Sequence, residues 1–156
     1  MDSILHDTLV FTRQIPAHID AVFAAYATPN ARMLWGVPSD TATLIYDVAD
    51  FREGGLDRFR CGSKADPNIH GETRYLQIIP SSRVVSSETI TVAGKCLCAS
   101  LTTLELQTNG QTTMLRNTTQ LASFIGEDMR KGHLQGTNAS LDNLVKYFEE
   151  QARQSR

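Results

Sequence analysis

Between Thr8 and Ile15 the apolar residues Leu9, Phe11 and Ile15 alternate with Thr8, Val10, Thr12 and Gln14, a period near two that predicts a strand. Pro16 ends it, because proline brings no amide hydrogen to a ladder. In the next stretch, 18–29, Ile19, Val22, Phe23 and Tyr26 recur at three and four, one face of a short helix, with Asp20 near its positive end. Pro29 closes that helix, and a second short one is expected over 31–35 before Gly36 and Pro38. Six strand-like runs follow, at 41–51, 56–62, 70–80, 83–92, 98–107 and 112–121, separated by turn signals such as Gly54-Gly55, Pro80-Ser81 and Asn109-Gly110. The intervals are too short for helical crossovers, so antiparallel hairpins are expected. From about 126 to 151, Leu134, Leu141, Leu144, Val145 and Phe148 share one side at helical spacing, which predicts a long amphipathic helix whose tail, 151–156, frays.

This order predicts an α+β fold: a seven-stranded antiparallel sheet, two short helices after the first strand, and a long final helix. A sheet of that kind needs one face covered, and only the final helix is long enough to do it. A curved sheet wrapped around a helix leaves a gap between them, and such a gap is a pocket.

With 156 residues the chain suits a single domain spanning 1–156. Hydrophobic residues make up 41% and charged residues 21%, enough for a core and unlike a disordered chain. A net charge of −2 argues against a basic nucleic-acid-binding surface. No run approaches the ~20 apolar residues of a membrane span. The first ten residues carry Asp2 and Asp7 and no basic region, so no signal peptide is expected, and the expected location is cytoplasmic.

The opening 8–38, with Arg13, Phe23, Thr28, Pro29, Trp35 and Gly36, the Gly-Gly hairpin in 50–59, the strand–Pro–Arg–strand turn in 75–85 and the glycine-containing helix start in 132–144 together resemble the SRPBCC (START-like) superfamily. They are most similar to its heat-shock-protein-90 ATPase activator homologue-like branch, over about residues 8–149. The resemblance implies a helix-grip fold with a hydrophobic cavity. It does not imply one reaction, since members include lipid binders, cyclases and co-chaperone-like domains. Two positions depart from the branch: Thr137 stands where it usually has Trp, which implies a larger pocket, and Ser81 stands where it has a second Pro.

Motifs for other chemistries are missing. There is no GxSxG, P-loop or GxGxxG, and Gly54-Gly55 reads as a turn, so no cofactor is expected. His6, His18, His70 and His133 form no HExxH, and no metal site is expected. Cys61, Cys96 and Cys98 are an odd count that argues against a disulfide framework; Cys96 and Cys98, two apart on a strand, are expected to share a face as buried, inert thiols.

The candidate ligand-binding residues are Trp35, Phe59, Tyr75, Leu104, Met114, Arg116, Met129 and His133. Two placements of Arg116 stay open. If Leu104 and Met114 point inward, Arg116 does too, at a position that looks apolar in the family, and there it needs a carboxylate such as Glu88 or Glu72, or an anion. A shift of one residue turns it outward into a surface ion pair. Trp35, Tyr75 and Tyr26 form a second group, read either as aromatics at the cavity mouth or as plain core, with core the expectation for Tyr26.

The expected function is binding of a small hydrophobic or aromatic molecule between sheet and final helix. The alternatives are a polyketide cyclase/dehydrase-like enzyme, with Glu88, His133 and Arg116 as candidate catalytic groups, and a chaperone ATPase activator-like interaction domain. The expected partner is that small molecule, with a homodimer and a chaperone left open and no nucleic acid or membrane.

Overall fold

A computed structural model describes residues 3–155; Met1, Asp2 and Arg156 lie outside the described residues, as do the parts of the N-terminal and tail expectations that fall on them. The elements are β1 (Leu5–Ile15), α1 (Ile19–Ala27), α2 (Pro29–Trp35), β2 (Ala42–Val48), β3 (Leu56–Ser63), β4 (Ile69–Ile79), β5 (Arg83–Val92), β6 (Lys95–Asn109), β7 (Thr112–Ser123) and α3 (Glu127–Gln154). The strands form one antiparallel sheet in the order β1-β7-β6-β5-β4-β3-β2. This is the α+β, helix-grip-like architecture expected, with α3 running to Gln154 through most of the stretch expected to fray.

Local chemistry explains the element ends. The His18 side chain accepts from the Asp20 amide and caps α1. Pro29 sits at the first position of α2, where its missing N–H costs nothing. Gly110 takes φ +64° in a two-residue turn that pairs Asn109 with Thr112.

The inner face of the sheet, toward the helices, carries Leu9, Phe11 and Ile15 of β1, Leu104 and Leu106 of β6 and Leu115 of β7. These pack with Leu141, Leu144 and Phe148 of α3 and with Val22, Ala25 and Trp35 of α1 and α2. Arg13 of β1 also ties the helix down, its Nε 3.1 Å from Asp142 and its Nη2 donating to Asn138 at 2.9 Å.

The two halves of α3 differ. Its buried side chains, Leu141, Leu144 and Phe148, all lie in the C-terminal half. Leu134, expected on the apolar stripe, is exposed instead. The inward stripe of the N-terminal half is Met129, His133 and Thr137, one helical turn apart and only half-buried. That half is pinned at its edge, where Ser140 Oγ donates to the Gly36 carbonyl at 2.9 Å and Gly136 lies against Pro38. Among the described residues no helix is long and apolar enough to cross a membrane.

Candidate functional site

Beneath the N-terminal half of α3 the inner face of the sheet turns polar. Cross-strand register aligns Asp57 (β3), Thr73 (β4), Glu88 (β5) and Ser100 (β6) in one row. The neighbouring row is Tyr75, Ser86, Thr102 and Thr119. Side chains two apart on a strand share a face, so these rows lie side by side. They separate the main core from a smaller apolar cluster of Ile90, Cys98 and Leu121, against which Phe59, Ile69 and Met129 pack. A sheet face pressed onto a helix is ordinarily apolar. Here Thr73, Ser86, Glu88, Thr102 and Asn117 remain partly open to solvent in the middle of the sheet.

The polar groups bond laterally to one another. Thr73 Oγ1 donates to Glu88 Oε2 at 3.0 Å, the Thr102 and Thr119 hydroxyls are 3.2 Å apart, and Thr119 Oγ1 donates to Asn117 Oδ1 at 2.8 Å. Burial pushes the Glu88 carboxyl up to about 7; the Thr73 hydrogen bond opposes the shift and the Asp57 charge adds to it. Glu88 is therefore a carboxyl that gains or loses its proton near neutrality.

At the β3 end of the rows lies a buried charged cluster. Arg32 of α2 is 7% exposed and Asp57 1%. Arg32 Nη1 donates to Asp57 Oδ2 at 2.6 Å and to Tyr75 Oη at 2.8 Å, and Tyr75 Oη donates in turn to Asp57 Oδ2. Asp57 Oδ1 accepts from the Asp50 amide at 3.1 Å. The guanidinium carbon sits 4.4 Å from the centre of the Tyr46 ring, a cation–π contact. Burial works to lower the Arg32 pKa, but Tyr46, Tyr75 and Asp57 outweigh it and hold it above its ordinary value. Arg32 Nε and Nη2 are buried with no hydrogen-bond partner among the described residues.

The structure places the sequence candidates unevenly. Phe59, Met129 and His133 border the polar rows and the small cluster. The Phe59 ring lies across Gly71, where an added Cβ would come within 2.0 Å of it. His133 Nε2 is 3.5 Å from Cys98 Sγ, and burial lowers its pKa, favouring the neutral imidazole. Leu104 points inward but into the main core. Tyr75 belongs to the Arg32–Asp57 cluster. Trp35 is core, its Nε1 donating to the Ala25 carbonyl at 3.1 Å and its ring 4.7 Å from that of Tyr26.

Arg116 and Met114 are corrected outright. Leu104 pairs with Asn117, Glu105 with Arg116 and Gln107 with Met114, so even-numbered positions of β6 share a face with odd-numbered positions of β7. Arg116 and Met114 therefore lie on the outer, exposed face. Glu72 is also outer, paired with Arg58 at 2.8 Å. The two cysteines expected to share a face do not: the register shifts between Ile90 and Thr91, leaving Cys98 fully buried and Cys96 exposed. Burial pushes the Cys98 thiol up to about 12 and the Cys61 thiol up to about 11, which makes both poor nucleophiles. Among the described residues no three His, Cys, Asp or Glu side chains are grouped to hold a metal ion.

The sequence reading missed Arg32 and Asp57. One signal is present: Asp57 has the parity of Phe59, a candidate for the inner face. The outer face carries two open grooves, of about 440 Å³ over Ala99, Leu101, Gln120 and Ala122 and about 270 Å³ over Arg58, His70, Glu72 and Thr91.

Solved structures share this architecture. The Mll3558 protein from Rhizobium loti is 33% identical, with 93% of this chain and 99% of that chain covered and a TM-score of 0.81. A protein from Rhizobium leguminosarum is 28% identical over 95% and 97% of the two chains, also with a TM-score of 0.81. DynU16, from the dynemicin biosynthetic locus, is 16% identical with a TM-score of 0.66, covering 92% of this chain and 47% of that chain, and it shares the fold alone. No curated protein matches the chain. The profile of the Activator of Hsp90 ATPase homolog 1-like protein family matches residues 16–149, which hold β2–β7, the two short helices and most of α3 but not β1, and the chain belongs to that family.

Proposed function

We propose that this protein binds a small, mainly apolar molecule between the sheet and the N-terminal half of α3. One observation carries the reading: two rows of polar side chains cross the inner face where a closed core would be apolar, and Thr73, Ser86, Glu88 and Thr102 in their middle are partly open to solvent. A guest there meets Phe59, Met129 and His133 along its apolar body and Glu88 at the floor. The test is thermal unfolding across a library of lipids and aromatic acids. A binder of the native state stabilises by about 2.7 kcal/mol at a hundredfold excess over Kd, roughly 5–10 °C for a chain of this size. No shift across the library contradicts the reading.

Glu88 favours a second reading, an enzyme of the cyclase or dehydrase type. A carboxyl titrating near 7 is matched to proton transfer at an acidic carbon–hydrogen bond. Under this reading Glu88→Gln retains binding and loses turnover. If the variant turns over as the native protein does, Glu88 is not the base. The chaperone-regulator reading draws support from the family description alone.

A further inference from the structure

A buried guanidinium normally spends all its donors, because each N–H left unpaired away from water is costly. Arg32 spends one edge only. Nη1 serves Asp57 and Tyr75, and Tyr46 covers a flat face, while Nε and Nη2 donate to nothing among the described residues. These two atoms are the parallel pair with which arginine grips a carboxylate. Asp57, the residue that anchors the guanidinium, stands in the same cross-strand row as Glu88 with only Thr73 between them. The guanidinium that Asp57 anchors therefore stands at the β3 end of the polar rows, with two buried donors unspent.

We propose that the Nε–Nη2 edge of Arg32 recognises an anionic oxygen of the ligand, so that the ligand is an apolar or aromatic molecule bearing a carboxylate or enolate. This rests on the binding reading above and names the class of guest. Asp57 and Tyr75 are positioning residues: they fix the guanidinium so that its free edge is set before the ligand arrives. An arginine anchored on one edge loses little side-chain freedom when the other engages.

The test uses a matched pair of probes on the native protein, 2-naphthoate and the neutral 2-naphthamide, titrated calorimetrically at pH 6, where Glu88 is protonated. The charged hydrogen bonds of the carboxylate predict binding about tenfold tighter than the amide. Arg32→Lys keeps a cation beside Asp57 but removes the fork; it is expected to abolish the preference for the carboxylate over the amide. Equal affinity of the two probes for the native protein overturns this inference while leaving the binding reading intact, and needs no variant to fold. Retention of the preference in a folded Arg32→Lys protein overturns it too. If neither probe binds, this inference falls, while the binding reading is decided by the library of lipids and aromatic acids.

Discussion

Asp57→Asn changes almost no volume but removes the charge that balances Arg32. Both groups are shielded from water, at 7% and 1% exposure, and their oxygen–nitrogen separation is 2.6 Å. Breaking a buried pair leaves the other charge uncompensated, a loss of about 3–5 kcal/mol. The amide oxygen of Asn still accepts a hydrogen bond, so the lower end applies, about 3 kcal/mol. That is a large share of the ~5–15 kcal/mol available to a domain, and near 2–4 °C per kcal/mol it lowers Tm by roughly 6–12 °C. Urea denaturation of Asp57→Asn, Arg32→Met and the double variant separates the pair from general packing. The double variant is expected to lose less than the two single losses combined, by at least about 1 kcal/mol. A loss below about 1 kcal/mol for Asp57→Asn, or strictly additive single effects, would refute the claim that these groups form one coupled cluster.

Other expectations follow from the same rows. Glu88 has its folded pKa raised from 4.5 to about 7, so between those values the native state holds a proton that the unfolded chain has released, and stability falls as pH rises through that window. Glu88→Gln should therefore be more stable than the native protein above pH 7, by at most about 3 kcal/mol given partial exposure, and equal to it below about pH 4; a constant difference from pH 4 to 8 in urea titrations would contradict this. Gly71→Ala should cost about 1–3 kcal/mol in chemical denaturation, because the new methyl collides with the Phe59 ring; a neutral effect would mean the ring is free to move. Arg116→Ala, on the outer face opposite Glu105, should stay within about 0.5 kcal/mol by urea denaturation, whereas a loss of several kcal/mol would return that residue to the interior.

Much of the fold was legible because its signals are local. Alternation marked the strands, Asn109-Gly110 marked the last hairpin, and Leu141, Leu144 and Phe148 marked the half of α3 that is buried. The site was harder, for two reasons. Parity within a strand is readable, but which parities face each other across a turn depends on register. The two-residue turn at Gly110 and Gln111 reverses the parity between β6 and β7, and that reversal put Arg116 outside. The inner side does hold a buried arginine, but it comes from α2, where nothing local distinguishes Arg32 from a solvent-facing helix residue. Its partner Asp57 lies 25 positions away, and only the folded chain brings the two together. The bulge that separates Cys96 from Cys98 likewise has no marker in the local pattern.

The most direct measurement is a map of amide chemical-shift changes as 2-naphthoate is added to the isotope-labelled protein. Binding in the gap predicts that the largest changes fall on Asp57, Thr73, Glu88 and Ser100 and on the turn of α3 from Met129 to Thr137. Changes confined to the outer grooves, around Ala99, Leu101, Gln120 and Ala122 or around His70 and Thr91, or no changes at all, would contradict the account.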